Sequence, residues 1–159
     1  ISNQKGFLII LTSIGRVFKF DLSYKYLAPS TKQSQGLILV KLLPTEKIIS
    51  CCKSNNENNL YIATQKGHFY QLDNNQIYNS FNSKLGFLNE KLKMKNDAYI
   101  KIFSNNQFID IETNKNRSAR INFSKIDFIS NKKIIKADFL NLQNDENIES
   151  CYSLENFSN

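Results

Sequence analysis

The chain has 159 residues, 41% of them apolar, which is the length and content of one domain able to bury a core. Its 21 basic and 14 acidic side chains leave a formal charge of +7, which points to a polyanionic partner and is equally compatible with plain solubility. No apolar run approaches the roughly 18 residues of a membrane helix, the opening ISNQKG has no signal-peptide pattern, and Cys51, Cys52 and Cys151 make neither a disulfide framework nor a zinc site. These features predict a soluble, cytoplasmic protein with reduced, half-buried strand cysteines, and the first residue, Ile rather than Met, reads as the start of a fragment.

In chain order, the first distinctive phrase is ILTSIGRVFKF, Ile10 to Phe20: an apolar run, a Thr, two residues, a Gly and an alternating run led by a base. Alternation of Val17 and Lys19 with Phe18 and Phe20 predicts strands on either side of a tight turn at Gly15. The next segment, LSYKYLAPSTKQ, is broken as a helix by Pro29, and QGLILVKL (Gln35 to Leu42) and KIISCC (Lys47 to Cys52) read as two further strands. The phrase then returns as YIATQKGHFYQL (Tyr61 to Leu72), followed by LGFLNEKL (Leu85 to Leu92) and AYIKIF (Ala98 to Phe103). It returns again as DIETNKNRSARINF (Asp110 to Phe123), with IKADFLNL (Ile135 to Leu142) and NIESCY (Asn147 to Tyr152).

Thr12, Thr64 and Thr113 mark a period of about 50, and Gly15, Gly67 or Asn116 stands three residues after each, as a left-handed turn position requires. Four short strands per repeat of that length is the arithmetic of a propeller blade, whose small sheet buries both faces only by stacking on neighbours. The sequence therefore predicts an all-β chain of about three four-stranded blades with little helix, over repeats 6–54, 58–104 and 107–153 of a single domain spanning 1–159. Three blades are too few to close a ring, so a partial ring, an open arc or a unit pairing with a second copy is expected, with the less regular third repeat as a terminal blade.

Basic residues recur at equivalent points. Arg16 and Lys19 follow the first turn, Lys66 and His68 flank the second, and Lys115, Arg117 and Arg120 surround the third, while Lys32, Lys84, Lys132 and Lys133 lie in the loops between second and third strands. Charge repeated around a ring becomes a stripe suited to a bent phosphate backbone. Glu46, Asp97 and Glu146, equivalent positions before each fourth strand, read as parts of a structural turn, and most of the twelve phenylalanines read as packing between blades. The single histidine, the absence of a Walker-type loop and the lack of a dinucleotide fingerprint leave no basis for catalysis, a metal or a cofactor.

The recurring phrase, in LTSIGRVFKF with QGLILVKL and IATQKGHFYQL with LGFLNEKL, resembles the C-terminal DNA-wrapping domain of the A subunit of bacterial DNA gyrase and of its topoisomerase IV counterpart. The resemblance implies a β-pinwheel, a propeller-like disc whose blades exchange strands and whose basic rim bends DNA, with this chain supplying its last three blades. It also implies double-stranded DNA, the rest of the A subunit and the B subunit as partners, chemistry performed by other domains, and a cytoplasmic, nucleoid-associated location in a bacterium. The basic glycine-rich box of gyrase A subunits has its nearest counterpart in KQSQG (Lys32 to Gly36), with one base and one glycine. Such a box either lies upstream, or the protein is topoisomerase IV-like or a diverged paralogue. The expected function is non-specific duplex binding along a basic rim; the alternative is a propeller-type scaffold for an acidic protein.

Overall fold

Short, β-branched and aromatic segments interrupted by Thr-x-x-Gly turns fold here as antiparallel hairpins. The structure is a computed structural model that describes residues 6–23, 38–55, 59–77, 80, 87–88, 96–104, 108–123, 134–136 and 140–153. In the first repeat β1 (Phe7–Thr12) pairs with β2 (Arg16–Asp21), Leu11 opposite Val17, and on its other side with β3 (Ile48–Ser54). The second repeat builds the same set from β4 (Leu60–Thr64), β5 (His68–Leu72) and β7 (Tyr99–Ser104), and the third from β8 (Phe108–Thr113), β9 (Ser118–Asn122) and β11 (Ile148–Ser153). Asn74–Gln76 forms one turn of 3-10 helix.

The turns adopt the backbone that their residues allow. Gly15, Gly67 and Asn116 have φ of 83°, 78° and 57°, and each donates its N–H to the carbonyl of the Thr three residues before it. At Gly15 a second constraint applies, because a Cβ there would lie 2.8 Å from the Tyr99 hydroxyl of the next repeat.

The fourth strand of the first and of the second sheet comes from the following repeat. β6 (Phe87–Leu88) lies along β2, with Arg16 opposite Leu88, and β10 (Ile134–Lys136) lies along β5, with His68 opposite Lys136. The strand orders are therefore β3-β1-β2-β6, β10-β5-β4-β7 and β11-β8-β9. These sheets are blades one, two and three, and the exchange of strands is that of a partial pinwheel. The strand exchange is the one the resemblance implies, so the third segment of a repeat serves the preceding blade, while one count changes: blade three has three strands rather than four among the described residues. Residues 38–42 of the segment expected as a strand over Gln35–Leu42 form none; 35–37 lie outside the described residues, as do 85, 86 and 89–92 of the second such segment.

The core lies between blades. Ile9, Leu11 and Val17 of blade one meet Leu60, Ile62, Tyr70 and Ile102 of blade two. On its other face blade two sets Tyr61, Ala63, Phe69 and Phe103 against Ile109, Ile111 and Ile121 of blade three, with Phe123 amid the three rings at 5.3–5.4 Å. β4 is consequently buried along its whole length. Each fully buried aliphatic or aromatic side chain contributes about 1.5–3 kcal/mol, which offsets the weak pairing of short strands. The expectation that phenylalanines pack between blades is met at Phe69, Phe103 and Phe123, whereas Phe18 and Phe20 pack with Ile10 on the outward face of blade one, under Leu39 and Val40.

Candidate nucleic-acid interface

A Thr hydroxyl at the mouth of each hairpin organises three side chains. In blade two Thr64 Oγ1 accepts the His68 N–H at 3.1 Å and donates to Asp97 Oδ2 at 2.7 Å, and His68 Nδ1 lies 3.0 Å from that same oxygen. In blade three Thr113 Oγ1 accepts the Arg117 N–H at 3.3 Å and donates to Glu146 Oε1 at 2.7 Å, while Arg117 Nη1 donates to Glu146 Oε2 at 2.7 Å. In blade one Thr12 accepts from Arg16 N–H at 3.2 Å, and the Arg16 guanidinium grips both oxygens of Glu46, Nε to Oε1 at 2.8 Å and Nη2 to Oε2. The arginine also ties down the loop ahead of the acid, through Lys41 O in blade one and Leu140 O in blade three.

The bonding sets the electrostatics. Arg16 above all, with Thr12 and the Leu43 N–H, holds the Glu46 carboxyl down at about 2 against the opposing effect of burial. Glu146 is lowered too, first by the Gln143 N–H and then by Thr113, with Arg117 contributing. These clasps tie Arg16, His68 and Arg117 into the fold's own bonding. Arg16 is buried, and Arg117, with its side chain 46% exposed, spends its donors on Glu146 and on backbone carbonyls.

The other expected phosphate ligands separate into two kinds. Lys19 is buried; its Nζ donates to Asn74 O at 3.0 Å and sits 4.5 Å from the centre of the Phe7 ring, and burial lowers its pKa against the pull of Asp73. Arg120 is exposed but forks onto both oxygens of Asp110 at 2.6 and 2.7 Å. Lys66 and Lys115, by contrast, stand exposed at the tips of their turns, two residues after the Thr, with Lys115 Nζ donating to the nearby Asn144 carbonyl at 3.1 Å. Blade one carries Ile14 at this tip, and exposed Lys47, bonded through its backbone to Ser13, supplies a charge beside it. Sequence reasoning missed Lys47 because it looked around the turns and in the loops between second and third strands, and not just before the fourth strand. Lys32, Lys84, Lys132 and Lys133 lie outside the described residues.

Superposed on solved structures, nearly the whole chain matches several of one kind. The C-terminal domain of DNA topoisomerase IV aligns over 97% of this chain with a TM-score of 0.62 at 12% identity, covering 48% of that domain. The E. coli ParC C-terminal domain aligns over 98% with a TM-score of 0.64 at 12% identity, covering 59% of it. Its fold is theirs. The DNA gyrase A C-terminal domain agrees, with a TM-score of 0.56 and 14% identity over 97% of this chain and 50% of that one. The chain thus spans about half to three fifths of the length of these domains, and the resemblance read from the repeats holds at the level of fold. No family model and no curated protein sequence matches the chain.

Proposed function

We propose that the protein is a non-catalytic accessory module of a type IIA topoisomerase A subunit that holds duplex DNA along the turn tips of its blades. The observation that carries this reading is the recurrence of exposed Lys66 and Lys115 at one structural position on a fold shared with topoisomerase IV and gyrase A C-terminal domains. Lys47 extends the same row onto blade one. Contacts of this kind reach phosphates and not base edges, so binding is non-specific and driven by counterion release. The strand-passing chemistry belongs to other domains of such an enzyme, and the net charge of +7 favours the encounter.

Binding to random-sequence duplex of about 40 base pairs across a salt series tests this, since log affinity falls against log salt by about 0.9 per neutralised phosphate. Replacing Lys47, Lys66 and Lys115 by Ala is expected to make the slope shallower by about 1 per lysine. Arg16→Ala is expected to lower stability and leave the slope of the folded protein unchanged. Absence of binding at low salt would sink the reading and favour the protein-interaction alternative.

A further inference from the structure

At the corners of blades one and three two turns lie side by side. In blade three the hairpin turn carries Lys115, and the turn that leads into Glu146 carries Gln143 and Asn144. Lys115 Nζ donates to Asn144 O at 3.1 Å, and the two turns are joined by the Asn114 N–H on Asn147 O and the Asn147 N–H on Asn114 Oδ1, both at 3.0 Å. Blade one repeats the construction. Ser13 N–H donates to Lys47 O at 2.8 Å, and Lys47 N–H to Ser13 Oγ at 3.1 Å. Leu43 stands to Glu46 as Gln143 does to Glu146, its N–H on Oε2 at 2.9 Å and its carbonyl accepting the N–H of the acid at 3.0 Å. These bonds make Ile14, Leu43 and Pro44 the counterparts of Lys115, Gln143 and Asn144.

The change is one of chemistry and not of position. Lys115, Gln143 and Asn144 stay exposed with blade two packed against blade three, and Lys66 stays exposed at the same tip with a blade on either side, so this corner lies off the stacking faces. In blade one it is apolar: Ile14 is 41% and Leu43 53% exposed, and Pro44 is exposed beside them. Apolar groups gathered in the open mark a contact surface. The carboxylate of this corner, Glu46, is buried under Arg16, whereas Lys41 and Lys47 are exposed, so the surface suits an occupant that is anionic as well as apolar. Its backbone is already fixed by the Arg16–Glu46 clasp and the Ser13–Lys47 bonds, so little ordering is lost when a ligand presses against it.

We propose that Ile14 and Leu43 form an apolar wedge against the same duplex whose phosphates Lys66 and Lys115 hold, an inference that rests on the function proposed above. The duplex answers both halves of the corner's chemistry, with phosphates for Lys41 and Lys47 and the apolar sugar and base faces of a groove for Ile14 and Leu43. Continuity favours it over an acidic protein, since Ile14 occupies the tip that a lysine occupies in blades two and three. Isoleucine and leucine are among the side chains that part a base step, and pyrimidine–purine steps part at least cost. The phosphate row is indifferent to sequence, whereas the wedge gives the protein a preference for a flexible step at one point along the bound duplex.

Affinity is measured across a salt series for two duplexes of about 40 base pairs and equal composition, one rich in TA steps and one with its A·T pairs gathered into stiff A-tracts. The protein is expected to bind the TA-rich duplex about threefold tighter or more. Replacing Ile14 and Leu43 together by Ser is expected to abolish that preference while the salt slope and the melting temperature stay as they were. Ile14→Lys, which restores the lysine of the other tips, is expected to steepen the slope by about 1 and to weaken the preference. Equal affinity of the wild type for the two duplexes would overturn the wedge and leave the phosphate row standing, as would a preference that survives in the double variant. Failure to bind either duplex at low salt would remove the wedge and the proposed function together, and would leave the corner to an acidic protein segment.

Discussion

Glu46 receives both arms of Arg16, the Thr12 hydroxyl and the Leu43 N–H, so its charge is held by several donors at once in a site closed to solvent. Removing one partner of such a buried pair costs more than the pair contributes, because the other charge stays buried without compensation; the usual range is about 3–5 kcal/mol. Glu46→Gln is therefore expected to destabilise the protein by about 3 kcal/mol in chemical denaturation. The pH dependence has a definite sign. The folded carboxyl titrates at about 2 and the free one near 4.5, so its stabilising contribution is complete above pH 4.5 and is lost as pH falls towards 2. Wild-type melting temperatures should drop across that window more steeply than those of Glu46→Gln, and parallel curves would contradict the assignment. Blade two has His68 with Asp97 where the other blades have Arg with Glu, so base and acid change together. That joint change was legible in the sequence as the one sign that the bases after the turn belong to the acids before the fourth strand. Reading base and acid separately put Arg16 and Arg117 on the rim.

At the scale of elements, short strands depend on what they stack against. Phe123 follows β9 and meets Tyr61, Phe69 and Phe103 of blade two, which makes it the aromatic centre of the joint between blades two and three. Phe123→Ala should cost about 3–5 kcal/mol and release blade three before the rest, seen as an early loss of protection in β8 and β11. A single cooperative loss across all strands would show that the joint is not separable. The hairpins and their left-handed turn residues were legible from Thr-x-x-Gly, and Asn116 was rightly equated with the glycines. The destinations of β6 and β10 were not legible in the repeat pattern, because alternation marks a segment as a strand without naming its neighbour; the strand exchange came only with the family resemblance. Lys19 was misplaced for a related reason. An alternating strand normally turns one face to water, but a strand inside a stacked blade is covered on both, and burial drew the lysine's amine to Asn74 O.

At the scale of the whole molecule, the core clusters of the described residues join neighbouring blades, so stability varies along the series instead of being shared evenly. β4, covered on both faces and paired on both edges, should exchange its amide hydrogens most slowly. β3, exposed along much of its length, and β9 should exchange fastest among the long strands, and a β3 as slow as β4 in the isolated chain would refute this gradient.

The crossing of β6 and β10 into the preceding sheets also decides how the chain responds to being pulled. A force applied between the two ends cannot part blade three from blade two by separating apolar faces alone, since β10 must first be torn from β5. The backbone that leaves one blade is stitched into the one behind it, so each joint resists tension with a row of hydrogen bonds as well as a greasy seam. Under the proposed function, the recoil of a bound duplex would load these stitches, and a snapped joint would need its strand threaded back before the blade could seat again.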